Sequence, residues 1–129
     1  MRSLAIPSSL GDVADRITIL TIKSERMRDP AKLANVRKEL AEISEVFFDA
    51  VARTPEFNGL FERLKPVNEQ LWEIEDTIRL CEARGDFGPE FVRLARSVYQ
   101  TNDLRAAIKR ELNTLLGSDL VEEKSYSSI

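Results

Sequence analysis

The sequence predicts an all-α protein, an antiparallel four-helix-type bundle with a kinked third helix and a docked C-terminal tail. Apolar residues recur every three or four positions through four long segments, which is the spacing of amphipathic helices. Proline, glycine and capping residues separate these segments by short turns, as is typical of antiparallel neighbours. The 129 residues are expected to form a single domain, 1–129, that is long enough to bury a core.

The first predicted helix begins after Ser9 and ends near Arg28. Ser9 followed three residues later by Asp12 resembles a capping box, in which each side chain accepts a backbone N–H. Ile19 and Ile22 lie off the main apolar stripe, so this helix is apolar on a second side. It is therefore either central in the bundle or part of a subunit interface.

The second predicted helix begins at Asp29-Pro30 and ends near Arg53. Aspartate is a favoured N-cap, and proline costs little at the first helical position because its missing N–H would have no partner there. The apolar stripe of this helix comprises Leu33, Val36, Leu40, Ile43, Phe47 and Ala50.

Thr54-Pro55 repeats the same pattern and opens the third helical segment, which ends at Arg84-Gly85. Pro66 removes a backbone donor, so this segment is either one kinked helix or a short helix followed by a long one. Its apolar residues follow a heptad, which indicates a helix packed lengthwise on another. They are Phe57, Leu60, Leu64, Val67, Leu71, Ile74, Ile78 and Cys81.

Gly88-Pro89 opens the fourth helical segment, which ends at Gly117. Thr101 and Arg105 fall where the apolar stripe calls for apolar residues. Either the helix breaks, with Thr101 or Asn102 capping a new one, or it is continuous and carries a polar layer. The tail beyond Gly117 has no long periodic pattern, and we expect three residues to dock it on the bundle: Leu120, Val121 and Tyr126.

Composition excludes several classes of function. The net charge of −3 lacks the positive footprint of a nucleic-acid binder, and the absence of histidine excludes histidine-based catalysis and His-ligated zinc. No run of 18 apolar residues exists, so we expect no membrane partner and a cytoplasmic location. The single Cys81 continues an apolar stripe and is expected to be buried.

Several strings carry a resemblance to a known family. They are DRITIL at 15–20, DPAKLANVR at 29–37, LWEIED at 71–76, VY at 98–99, NDLRAAIKR at 102–110 and GSDLVEEKSY at 117–126. Together they resemble a small family of uncharacterised bacterial all-helical proteins of about this length. The resemblance implies a self-contained cytoplasmic bacterial domain. It implies no activity, ligand or catalytic residue.

A carboxylate site is the sharpest catalytic hypothesis. Glu42 and Glu45 precede Glu73 and Asp76 in a pattern that looks like that of the all-α nucleoside triphosphate pyrophosphohydrolases. Carboxylates three apart share one helix face, and two such pairs on facing helices can hold Mg²⁺ against a triphosphate. The alternative interpretation is a solvated face, because all four residues lie away from the apolar stripes.

Polar residues near the apolar stripes form a second candidate site. One interpretation is a small anionic ligand held by Asn102, Arg105 and Lys109, with Trp72 alongside. The other is structural, because a seam arginine is costly unless it is paired. Its partner would be one of three acids: Asp15, Glu75 or Asp76.

The function that we expect is a non-catalytic helical binding or oligomerisation module without a cofactor. Its expected partners are a second copy of the chain and an unknown protein or small anionic ligand. The alternative is a Mg²⁺-dependent pyrophosphohydrolase that uses the four carboxylates.

Overall fold

The computed structural model describes residues 2–127, which contain four helices and no strand. Helix α1 spans Leu10–Arg26, α2 spans Pro30–Ala50, α3 spans Pro55–Ala83 and α4 spans Pro89–Leu116. The predicted all-helical bundle is confirmed. Within this part of the chain, no helix combines the length and the apolar character that crossing a lipid bilayer requires.

The predicted caps start the first three helices. The side-chain oxygens of Ser9, Asp29 and Thr54 each accept a backbone N–H from the first turn of the helix that follows. The prediction that the Asp12 carboxylate accepts a backbone N–H is wrong, because this carboxylate contacts the Lys109 ammonium at 2.8 Å. An ion pair with a buried lysine has replaced the local hydrogen bond.

Helix α1 is the central element of the bundle. Its backbone lies close to those of α2, α3 and α4, whereas the backbone of α2 lies close to that of α1 alone. Ile22 is 1% exposed within the single chain, and Ile19 is half-buried between helices. The second apolar side of α1 is thus covered by the chain itself. A polar residue at position 22 is therefore expected to destabilise the fold itself.

Helices α3 and α4 form an antiparallel hairpin. Arg63 near the start of α3 pairs with Glu111 near the end of α4. Helix α3 is continuous through Pro66, so the alternative of two separate helices is wrong. Pro66 is exposed, and water can reach the carbonyl that proline leaves without a helical donor. Helix α4 is also continuous, which confirms the polar-layer alternative at Arg105.

Aromatic rings join the end of α2 to the start of α3. The Phe57 and Phe61 rings stack at a centroid distance of 5.5 Å, and Phe47 lies 6.0 Å from Phe57. Phe48 meets Phe61 edge to face at 5.7 Å. This cluster continues into a core of buried aliphatic residues from α1, α3 and α4: Ala14, Ile17, Leu64, Val67, Ile108 and Leu112.

The C-terminal tail is held by polar contacts. Glu123 pairs with Arg110 at 3.0 Å, and Ser118 accepts a hydrogen bond from the Leu10 backbone at 3.1 Å. The prediction that apolar residues dock the tail is wrong, because those residues are exposed: Leu120, Val121 and Tyr126.

Gly11 marks a close crossing of α1 and α4. Its backbone N–H donates to the Asn113 side-chain oxygen at 2.6 Å, and both residues are buried. A Cβ at residue 11 would lie 2.9 Å from that oxygen and would also overlap the backbone carbonyl of Lys109. The absence of a side chain at Gly11 therefore allows the two helices to approach.

Gly11→Ala is expected to lower the free energy of unfolding by about 2 kcal/mol, because a backbone carbonyl cannot move aside as a flexible side chain can. Urea unfolding measures the change. The matched control is Gly59→Ala in α3, where nothing lies within 4 Å of the added Cβ. This control should be stabilised by about 0.5 kcal/mol. Equal stability of the two variants would contradict the close crossing.

Candidate functional site

A pocket of about 530 Å³ opens between α1, α3 and α4. This volume lies in the range of small-molecule sites, on the order of 300–1,000 Å³. Its apolar wall is formed by Ile19 and Ile22 from α1 and by Leu71 and Trp72 from α3. Its polar lining comes from α3 and α4: Asn68, Glu75, Asp76, Arg79, Asn102 and Arg105.

A buried ion pair lies behind the pocket lining at Arg105. Asp15 of α1 has a side chain that is 4% exposed, and Arg105 of α4 binds both of its oxygens. Arg105 Nε lies 3.0 and 3.1 Å from the two oxygens, and Nη2 lies 2.5 Å from Oδ2. Asn68 of α3 donates to Asp15 Oδ1 at 2.9 Å. One carboxylate thus ties three helices together.

The Arg105 guanidinium also faces the pocket. Its hydrogen bonds with Asp15 raise the pKa of Arg105 above its ordinary value, against the opposing effect of burial. Nη1 donates to the Asn102 side-chain oxygen at 3.3 Å. A guanidinium has five N–H groups, and the hydrogen bonds to Asp15 and Asn102 engage three of them. Two N–H groups therefore remain available for an acceptor in the pocket.

The local sequence explains why these groups converge. Asn102 and Arg105 lie three apart on the continuous helix α4 and share one face. Asn68, Trp72 and Asp76 recur every four residues on α3 and line the same side. Of the three acids expected to pair with Arg105, the structure selects Asp15.

One ion pair lies in the lining of the pocket, and a second group of charges lies next to Trp72. Arg79 Nε lies 3.3 Å from Glu75, its neighbour one turn earlier on α3. Arg26 of α1 lies 3.3 Å from Glu69 and 3.5 Å from Glu73, and its guanidinium is 5.9 Å from the centre of the Trp72 ring. Asp76 also lines the pocket, and no basic side chain of residues 2–127 forms an ion pair with it.

Lys109 is separated from the other predicted binding residues. Its ammonium lies 2.8 Å from Asp12 and 3.3 Å from Glu122 of the tail. Burial by itself lowers the pKa of Lys109, but the hydrogen bond and charge of Asp12 outweigh it and raise the pKa. The structure thus brings Trp72, Asn102 and Arg105 to one pocket and places Lys109 in a different cluster.

The predicted set omitted several residues of the pocket. Asn68 lines the pocket and was not among the predicted binding residues, and Asp15 was predicted only as one of three possible partners of Arg105. Ile19 and Ile22 were noted as off-stripe apolar residues, but the sequence alone did not show that they face Trp72 across a pocket. Glu75 and Arg79 lie four residues apart on α3, and this spacing is the sequence signal for their ion pair.

The four carboxylates of the metal hypothesis are not assembled within the chain. Glu42 and Glu45 are exposed on α2, which packs on α1, whereas Glu73 and Asp76 are exposed on α3. No group of three or more acidic or cysteine side chains within residues 2–127 is arranged to hold a metal ion. The facing helices that the Mg²⁺ site requires are therefore not formed by α2 and α3.

Comparison with known proteins places the chain in a family. Residues 4–129 match the sequence model described as a family of unknown function, DUF6165. The chain belongs to this family. The resemblance drawn from the sequence strings to a family without an assigned activity is confirmed. No curated protein and no solved structure matches the chain.

Arg105→Ala is expected to lower the free energy of unfolding by about 3 kcal/mol, because Asp15 would stay buried with Asn68 as its only side-chain donor. Urea unfolding near neutral pH measures the loss. Arg96→Ala is the control, since Arg96 is exposed on the same helix and should change stability by less than about 0.5 kcal/mol. An equally small change for Arg105→Ala would show that the Asp15–Arg105 pair contributes little to the free energy of unfolding.

Asp12→Asn is expected to lower the free energy of unfolding near neutral pH and to have a smaller effect in acid. Burial opposes ionisation of Asp12, but its hydrogen bonds with Lys109 and Ser9 lower its pKa below the ordinary value. Between the folded and unfolded pKa values the unfolded state binds more protons, so stability rises with pH there. The contribution is complete above about pH 4 and is lost as the pH falls through the folded pKa.

Urea unfolding of Asp12→Asn and the unmodified chain at about pH 7 and about pH 3 measures this contribution. The variant should be less stable near neutrality, and the difference should narrow in acid. Asp49→Asn is the control, because Asp49 is exposed on α2 and forms no ion pair within residues 2–127. A difference for Asp12→Asn that is as large in acid as at neutrality would argue against the lowered pKa.

Proposed function

We propose that this protein is a non-catalytic helical binding module that takes a small organic molecule into the pocket between α1, α3 and α4. One observation carries the proposal: an apolar wall and a set of convergent polar groups line an open pocket of about 530 Å³. Small-molecule sites have this composition, with apolar area supplying affinity and a few polar groups fixing orientation.

The polar groups are prepared for a ligand before it arrives. Asp15, which itself accepts a hydrogen bond from Asn68, holds Arg105 in place, so the remaining N–H groups of Arg105 are oriented without loss of side-chain freedom on binding. Asn102 is held in turn by Arg105. Such preorganisation lowers the entropic cost of binding, which supports a recognition role for these residues.

The chemistry of the lining supports binding without catalysis. The pocket presents two guanidinium groups that are each bound to a carboxylate, two amides and exposed carboxylates. The chain contains no histidine, and its single thiol, Cys81, is fully buried outside the pocket lining. The usual nucleophile and base pairs therefore do not meet here.

The proposed function includes neither the pyrophosphohydrolase activity nor the self-association expected from the sequence. A pyrophosphohydrolase site would need Glu42 and Glu45 to face Glu73 and Asp76, and α2 and α3 do not provide that arrangement within the chain. Self-association was motivated by Ile19 and Ile22, which the chain itself covers or turns toward the pocket. Self-association, a protein partner and a cytoplasmic location stay predictions from the sequence.

Fragment binding observed at Trp72 tests the proposal. Trp72 is the only tryptophan, so the protein has one indole N–H signal in its NMR spectrum, and that signal reports on the pocket wall. Ring-containing fragments at about 1 mM, the scale of weak binding, should shift this signal. Ile19→Phe should fill the pocket and weaken such fragments by about tenfold.

Val46→Phe is the matched control, because it adds the same ring to an exposed apolar position on α2. Affinities in this variant should equal those of the unmodified chain. The proposal fails if no fragment shifts the indole signal, or if Ile19→Phe binds the fragments as well as the control does.

A further inference from the structure

We propose, as a step that rests on the proposed pocket, that its occupant carries a positive charge. The structure assigns it the class of amines or quaternary ammonium compounds on a compact apolar body. The cationic group would lie between the Trp72 indole and the Asp76 carboxylate, which are four residues apart on one face of α3. This reverses the sign of the ligand charge expected from the sequence.

The charge of Arg105 is already matched inside the protein. Asp15 contacts its guanidinium through both oxygens, and the pair is shielded from solvent on the Asp15 side. A ligand anion at Arg105 would approach a neutral pair and would feel repulsion from the Asp15 carboxylate behind it. The two remaining N–H groups of Arg105 suit a neutral acceptor, such as a hydroxyl or carbonyl oxygen of the ligand.

One carboxylate of the lining has no matching cation. Glu75 pairs with Arg79, and Arg105 pairs with Asp15. Asp76 has no ion-pair partner in the described chain, residues 2–127. The lining therefore carries one unmatched negative charge, with which the cationic group of a ligand would pair.

Trp72 provides a second attraction for a cation. The face of an indole ring is negative and binds ammonium and guanidinium groups within about 6 Å of its centre. Arg26, which does not line the pocket, lies 5.9 Å from the centre of this ring, whereas the ring itself forms part of the pocket wall. Ile19, Ile22 and Leu71 line the pocket beside it and would cover the apolar body of the ligand.

Three probes with one phenylethyl body separate the classes of charge. Phenethylamine is a cation, 2-phenylethanol is neutral and 3-phenylpropionate is an anion. The indole N–H signal of Trp72 reports binding of each, at low ionic strength because Asp76 is exposed and its field is screened by salt. Phenethylamine should bind about tenfold more tightly than the alcohol, and the carboxylate more weakly than either.

Asp76→Asn should remove most of the preference for phenethylamine over the alcohol while leaving the affinity for the alcohol unchanged. Asp49→Asn, on exposed α2, makes the same change of charge and should preserve the preference. Because Asp76 is exposed and unpaired in the described chain, the variant should keep its unfolding midpoint, which a thermal melt verifies.

The possible results separate this inference from the proposed function. If the alcohol or the carboxylate binds as tightly as the amine, or if Asp76→Asn keeps the preference, the pocket binds ligands but the assignment of charge is wrong. If none of the three probes moves the Trp72 signal, the pocket itself is overturned as a site for ligands of this size, and the charge preference falls with it.

Discussion

The rest of the structure depends on the ion pair between Asp15 and Arg105. The two residues lie ninety positions apart, on α1 and α4, and Asn68 of α3 completes the network. A buried carboxylate without these donors would destabilise the fold by several kcal/mol. The pair therefore requires three helices to meet in one register. Apolar contacts alone would tolerate small shifts between the same helices.

The same pair gives the pocket its chemical character. It fixes Arg105 in the lining, and Arg105 in turn binds Asn102. Arg105 and Arg79 are both paired with carboxylates, whereas Asp76 has no ion-pair partner within residues 2–127. The proposed preference for a cationic ligand therefore rests on a structural interaction. The sequence presents two interpretations of Arg105 as alternatives, a structural ion pair and a ligand-binding residue. Arg105 pairs with Asp15 and also lines the pocket, so the two interpretations are compatible.

Part of the candidate site could be predicted from the sequence, and part could not. Helical spacing places Asn102, Arg105 and Lys109 on one side of α4, and this much is observed. The spacing does not show that α1 crosses antiparallel to α4, so that Asp12 meets Lys109 and Asp15 meets Arg105 one turn away. Local periodicity thus identified the basic residues, whereas the packing of a distant helix decided the role of each.

The sequence by itself determined the four helices and the caps that start three of them, because those features depend on neighbours within one or two turns. Only the tertiary structure decided that α1 is central, that Ile22 is buried within the chain and that the four predicted metal-binding carboxylates stay apart. These features depend on contacts between residues far apart in the chain. A repeating apolar stripe shows that a helix face is covered, but it does not specify which helix covers it.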